Sequence, residues 1–205
     1  VVAPFGGMDR RLSVNPIAAG VPVAGADPVI LDISTTKVAE GKIILARTRG
    51  EALPADCIID GEGRPSTDPN VFYDDPGAML PFGGHKGYAL MMASEYLGRI
   101  FTGADAHADP NRGGPIMRRQ GVAMIAFKAD QFQAFEDYSN RADEMVKRVR
   151  EVPPAPGFEE VLVPGDPEIR TRAARMKEGI PIAVDVWEEI VETANSLNVD
   201  IDGLE

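Results

Sequence analysis

Three short segments concentrate the side chains whose types and spacing suit chemistry. In Gly83-Gly84-His85-Lys86-Gly87, three glycines surround an imidazole and an amine just ahead of an apolar run through Tyr88, Leu90, Met91 and Met92. Glycine lets a ligand approach the backbone, a helix start offers unpaired N–H groups to an anion, and Lys86 adds positive charge. That combination suits a dinucleotide phosphate or a carboxylate. The same residues also fit a helix-entry turn in which His85 bonds a nearby carbonyl and Lys86 is solvated. Asp32-Ile33-Ser34-Thr35-Thr36 places an acid at the end of an apolar strand with hydroxyls behind it. A carboxylate there can hold a ribose hydroxyl or orient a histidine, and the hydroxyls can exchange hydrogen bonds with a cofactor; plain helix capping is the other reading. The third segment, Pro164-Gly165-Asp166-Pro167-Glu168, is a turn at a helix start, where acids in the first turn suit the helix dipole whatever else they do. His107 with Asp105 and Asp109 has the residue types of a metal site, but it sits in a polar stretch that reads as a solvated loop, and no metal is expected.

The elements that must position these segments follow from periodicity and punctuation. Pro28 to Ile33 reads as a buried strand, and Ser34-Thr35-Thr36 supplies capping candidates for a helix carrying Val38, Ile43, Ile44 and Ala46. Cys57 to Asp60 reads as a short strand closed by the turn Asp60-Gly61-Glu62-Gly63. The glycine-flanked segment leads into a buried helix that continues past Leu97 to Ile100. Ala104 to Arg119 is a long polar loop, and Gly121 to Lys128 a second buried strand. Gln131 to Val149 has the pattern of a surface helix with a buried stripe through Phe132, Phe135, Met145 and Val149. After Pro153-Pro154 come Val161-Leu162-Val163, the Pro164-Gly165 turn, a basic helix from Pro167 to Lys177, an apolar link over Ile180 to Val184, and a last helix around Trp187 and Ile190. The class is α/β, of an α+β-like kind.

Composition narrows the partners. With 205 residues, 44% of them hydrophobic, the chain can build one large or two small cores. A formal net charge of -11 sets most of the surface against a phosphate backbone, so nucleic acid is not an expected partner. No apolar run reaches the length of a membrane span, which points to a soluble protein. The single cysteine, Cys57, precludes an internal disulfide framework and fits a reducing cytoplasm; in its apolar setting, Cys57-Ile58-Ile59, it reads as an inert core thiol. Several common signatures are absent: G-x-G-x-x-G after a strand, a Walker loop, H-E-x-x-H, paired cysteines and G-x-S-x-G.

Read together and in order, the segments become more specific. Asn15-Pro16-Ile17, Asp32-Ile33-Ser34-Thr35-Thr36, Gly41-Lys42, Leu53-Pro54, Asp60 with Gly63, Thr67-Asp68-Pro69, Leu80-Pro81-Phe82-Gly83-Gly84-His85-Lys86-Gly87-Tyr88 and Pro164-Gly165 resemble the type-2 malate/lactate dehydrogenase family over nearly the whole chain. Members of that family move a hydride between NAD or NADP and the carbon beside a carboxylate. The resemblance implies a non-Rossmann NAD(P)-binding fold with a mixed, largely antiparallel sheet and flanking helices, a small 2-oxoacid or 2-hydroxyacid substrate, and a homodimer.

Residue by residue, the resemblance implies cofactor contacts at Ile30, Asp32, Ser34 and Thr35, then at His85 and Lys86, and then at Gly165, Asp166 and Glu168, with Asp32 as an orienting acid. Asp166-Pro167 stands where relatives run from Pro-Gly into Glu, so the third alignment is the loosest, and Ala55-Asp56-Cys57 replaces a frequent Gly-Trp pair. Family members also carry an amino-terminal domain with a Ser-His-Gly motif, whose histidine exchanges the proton, and nothing here matches it. The chain is therefore expected to be a carboxy-terminal portion, incomplete for catalysis. Residues 1–152 would form the cofactor-binding domain, and residues 153–205 a helical segment packing on the amino-terminal domain. Two competing readings are a non-catalytic remnant that keeps the fold, separated by its failure to bind NAD(P)H, and an unrelated phosphate-binding enzyme using the Gly83–Gly87 turn.

Overall fold

The structure, a computed structural model, describes residues 1–104 and 121–201. The Ala104–Arg119 loop, with His107, Asp105 and Asp109, lies outside the described residues apart from Ala104. Strands β1 (Ile17–Val21) and β2 (Val29–Ile33) pair antiparallel, with Ile17 opposite Ile33 and Ala18 opposite Asp32. A second small sheet has the order β4-β3-β5, formed by β3 (Ile58–Ile59), β4 (Pro65–Ser66) and β5 (Ala78–Met79), again antiparallel throughout. Val2 adds isolated bridges to Leu12 and, in parallel, to Met79. The expected largely antiparallel pairing thus holds, but in two small sheets instead of one.

The helices are α1 (Glu40–Arg49), α2 (His85–Glu95), α3 (Phe135–Arg150), α4 (Asp166–Glu178) and α5 (Val184–Ser196). A 3-10 turn covers Pro69–Phe72, and a π-helical turn, Tyr96–Phe101, continues α2. Among the described residues no helix is long and apolar enough to cross a membrane. The core gathers Val2, Leu12, Val38, Ile43, Leu53, Cys57, Ile58, Phe72, Met79 and Met91, so it joins the first residues of the chain, α1, the β4-β3-β5 sheet and one face of α2.

Several expectations change. β2 is a strand but not a buried one: Ile30 is 45% exposed and Ile33 36%, because a two-stranded sheet has cover on part of one face only. Ser34, Thr35 and Thr36 do not cap α1, which starts at Glu40 behind Ala39 without a side-chain cap; the hydroxyl segment instead bends away from β2, with Thr36 forming an isolated bridge to Pro81. The helix after Gly87 buries only Gly87, Met91 and Glu95, leaving Leu90, Tyr96, Leu97 and Ile100 exposed. Finally, Gly121 to Lys128 pairs with no strand among the described residues, and Val122, Met124 and Phe127 are all more than 80% exposed. An apolar run of strand length marks side chains that favour cover, but it does not supply the neighbour. The stripe assigned to α3 fails for the same reason: Phe132, Phe135 and Met145 face solvent, and burial falls on Ser139 and Val146.

Candidate functional site

The end of β2 is where the separated segments meet. Past Ile33 the chain runs beside Leu80–Phe82, and this contact joins the two sheets. Lys37 N–H donates to the Leu80 carbonyl at 3.0 Å, Phe82 N–H to the Thr35 carbonyl at 3.1 Å, and Thr36 bridges Pro81. Thr35 is fully buried: its N–H and its hydroxyl both donate to the Val14 carbonyl, at 3.0 and 2.8 Å. It fastens the segment to the stretch of chain just before β1. Thr36 Oγ1 donates to the Val38 carbonyl at 2.8 Å, which leaves Ser34 as the donor in the 2.6 Å contact between the two hydroxyls. Ser34 Oγ in turn accepts Thr36 N–H at 3.2 Å.

Directly after Phe82 the backbone turns through Gly83 (φ 58°) and Gly84 (φ 60°) into α2. Side chains rarely adopt those angles, so two glycines here are a requirement of the turn. Gly87 is required for another reason: a Cβ there would lie 1.7 Å from the Phe82 carbonyl oxygen. At Gly83 and Gly84 a Cβ would meet no clash, only ordinary contact with Gly87 N at 3.9 Å and the Phe5 ring at 3.6 Å. His85 and Lys86 are exposed on the first helical turn, whose N–H groups have no side-chain cap. The Phe5 ring meets His85 edge-on, with centroids 6.0 Å apart. Beside them a cleft of about 580 Å³ is lined by Phe5, Met8, Lys37, Asp56, Leu80 and Gly84, with Lys37 Nζ 4.0 Å from an Asp56 oxygen.

The third segment reaches the same strand from the other side. Ile30 N–H donates to the Pro164 carbonyl at 3.2 Å, and a Cβ on Gly165 (φ 102°) would stand 3.3 Å from that nitrogen. Asp166, the first residue of α4, is buried and turned inward. It accepts Arg150 Nη2 at 2.6 Å, Arg150 Nε at 3.3 Å and Val163 N–H at 3.0 Å. The Arg150 bond foremost, with the Val163 N–H, holds this carboxyl below the usual aspartate range against the opposing effect of burial. Glu168 is exposed one residue beyond Pro167.

All three sequence-predicted segments are thereby joined to β2 or its continuation. Ile30 and Asp32, two apart along β2, lie on one face of the strand, and Ser34 follows just past its end. Asp32 is exposed opposite Ala18. Thr35, Gly165 and Asp166 are buried, whereas Ile30, Asp32, His85, Lys86 and Glu168 are exposed. Residues that composition and spacing did not single out are Arg150, Val14, Phe5 and Glu95. A side chain 16 residues from its partner, such as Arg150 from Asp166, leaves no local signal.

This arrangement coincides with a family match. The model for malate/L-lactate dehydrogenase covers residues 1–191. The chain belongs to the malate/L-lactate dehydrogenase family. Similar members of the family include the L-lactate dehydrogenase of Cupriavidus necator, 34% identical over 98% of this chain and 58% of that protein. The malate/(S)-sulfolactate dehydrogenase of Methanothermus fervidus is 35% identical over 98% of this chain and 57% of its own length. Among solved structures, a putative malate/lactate dehydrogenase from E. coli superposes with a TM-score of 0.82 at 29% identity, over 99% of this chain and 57% of that one. The chain thus spans somewhat under three fifths of the length of these dehydrogenases.

Proposed function

We propose that this chain is the cofactor-binding portion of an NAD(P)-dependent 2-hydroxyacid dehydrogenase, built on a non-Rossmann fold. The observation that carries the reading is the convergence of Asp32–Ser34, His85–Lys86 and Pro164–Glu168 on β2 and its continuation in a chain of this family. The residues fit a dinucleotide. Two glycines open space beside an uncapped helix start, which with Lys86 provides N–H donors and positive charge for a pyrophosphate. The exposed Asp32 carboxylate can accept hydrogen bonds from ribose hydroxyls. The cofactor supplies hydride transfer to or from the substrate carbon; the residues here bind and orient it. Similar proteins are named for lactate, malate and sulfolactate, and a small 2-hydroxyacid or 2-oxoacid is the substrate class we assign to the whole protein.

In this reading residues 1–152 form the cofactor-binding unit, α4 begins after Gly165, which lies beside Ile30, and the helical segment 153–205 offers an outer face to the rest of the protein. That face is apolar: Val184, Val186 and Ile190 of α5 are exposed, as are Ile180 and Ile182 before it. A homodimer is part of the same proposal. The test is titration of the chain with NADH and NADPH, followed by the fluorescence of the reduced nicotinamide. Binding that Lys86→Ala weakens by about 1.5–3 kcal/mol, the scale of one charge-assisted hydrogen bond, is the expected outcome. Absence of binding by a folded chain sinks the reading.

A further inference from the structure

The end of α2 farthest from His85 holds a buried carboxylate that the cofactor reading does not use. Glu95, the last residue of α2, is 7% exposed. Its Oε2 accepts the Asn15 side-chain amide at 2.6 Å, and its Oε1 accepts Arg99 Nη1 from within the π-helical turn at 2.5 Å. The Asn15 amide also reaches the Met91 carbonyl at 3.4 Å. Asn15 itself is 8% exposed and sits at φ 40°, a conformation few side chains tolerate and asparagine more readily than most.

We propose that Glu95 is a positioning residue for cofactor binding: through Asn15 it sets the orientation of α2, and hence of its His85–Lys86 end, against the β1–β2 strand pair. The inference rests on the cofactor reading above and adds to it a residue far along the helix.

Position in the chain makes Asn15 a hinge point of the site. Val14, immediately before it, accepts both Thr35 bonds, and Ile17, two residues after it, opens the ladder that places Ala18 opposite Asp32. α2 is therefore tied to one framework at both ends, by Phe82 N–H to Thr35 at its start and by Glu95 to Asn15 at its finish. An 11-residue helix is about 16 Å long. With the far tie removed, the helix keeps its core contact at Met91 but loses the bond that fixes its tilt and roll, which redirects Lys86 and the leading N–H groups while leaving the fold in place. Packing alone would be served at lower cost by an apolar side chain, since burying a carboxylate carries a large desolvation penalty. What the carboxylate adds is direction: its two oxygens take one donor each from β1's approach and from the helix itself.

Affinity for NADH and thermal midpoint are to be measured for the chain and for Glu95→Gln, Glu95→Ala and Asn15→Ala. A positioning role predicts that Kd rises on the order of tenfold, equivalent to about 1.4 kcal/mol, with binding stoichiometry still one per chain. It also predicts that Lys86→Ala costs less affinity in the Glu95→Ala background than in the wild type, because a misdirected lysine has less to lose. Unchanged Kd with a lowered midpoint, or strictly multiplicative effects in the double variant, overturns the proposal and leaves Glu95 a packing residue. Glu95→Gln keeps the size and one acceptor, so it serves if the alanine variant does not fold. Amide NMR of this variant gives a readout that needs no cofactor. Shifts at Gly84–Gly87 support the proposal, and shifts confined to the surroundings of Glu95 overturn it. Should the wild-type chain fold yet bind neither NADH nor NADPH, the cofactor reading fails instead, and the amide shifts alone decide whether Glu95 orients α2.

Discussion

Replacing Asp166 with asparagine tests whether charge fastens the third segment to β2. The carboxylate accepts three hydrogen bonds, two from Arg150 and one from Val163 N–H. Asparagine keeps an oxygen for Val163 but leaves the guanidinium without a counter-ion. One charge-assisted bond is worth about 1.5–3 kcal/mol. The Arg150 side chain is 49% exposed, so once released it is hydrated instead of stranded, and the larger penalty for an unpaired buried charge does not arise. The expected loss is about 1–2 kcal/mol, a factor of roughly 5–30 in the local closed-to-open ratio. The place to read it is the Ile30 amide, whose acceptor is the Pro164 carbonyl two residues before Asp166. Native-state hydrogen exchange at Ile30 should accelerate by that factor.

The pH dependence follows from the direction of the shift. Arg150, with Val163 N–H, holds the Asp166 carboxyl below its ordinary range. Its contribution is therefore fully present above the unfolded value of about 3.9 and is lost as pH falls from there through the folded value. The wild type should exceed Asp166→Asn in stability by a constant margin from about pH 5 to pH 8, and the margin should shrink below about pH 4. Ile30 exchange that does not change, or a margin that persists at about pH 2, refutes the argument that this charge holds the turn.

Three further outcomes follow from the close contacts. Gly87→Ala places a Cβ 1.7 Å from a backbone oxygen that nothing flexible can relieve, so a loss of more than about 3 kcal/mol in urea denaturation, or no folded protein, is expected. Gly165→Ala combines φ 102° with a 3.3 Å approach to Ile30 N and should cost about 1–3 kcal/mol, together with faster exchange at Ile30. Burial pushes the Cys57 thiol up, despite the opposing charge of Lys37, so a thiol reagent at neutral pH should label it only after denaturant is added; immediate stoichiometric labelling of folded protein contradicts this.

Much of the local structure was legible in the sequence because local rules govern it. Gly83-Gly84 marked a turn, and the turn needs their positive φ; Asp60 to Gly63 marked another, and Gly63 N–H closes it on the Asp60 carbonyl at 3.0 Å. The strand at Val29–Ile33 and the helices over Phe135–Arg150 and Asp166–Glu178 form where expected, the last with acids in its first turn and Arg175 and Lys177 in its last. Burial was not legible. Leu90, Leu97 and Phe132 are as apolar as Met91, yet only Met91 meets the core, because contact depends on which neighbours arrive from elsewhere in the chain. The hydroxyls of Ser34 and Thr36 misled for a related reason. Local pattern offers them a helix to cap, and tertiary pairing with Pro81 and Phe82 claims the backbone first.

What periodicity could not reveal is the division of labour within each segment. Every one of the three joins an exposed polar end to a buried anchor. Asp32 and Ser34 lead to Thr35, whose polar groups are all engaged by Val14 and Phe82; His85 and Lys86 stand beside Gly87, pressed on Phe82; Glu168 follows Gly165 and Asp166, locked to Ile30 and Arg150. An exposed end on a mobile loop would have to be ordered when a ligand binds, at a cost of about 1–2 kcal/mol per residue fixed. Anchoring each segment to β2 or its continuation makes that ordering part of folding. Substitutions at Thr35, Gly87 or Asp166 should therefore move stability and affinity together, whereas substitutions at Asp32, Lys86 or Glu168 should change affinity and leave stability nearly where it was.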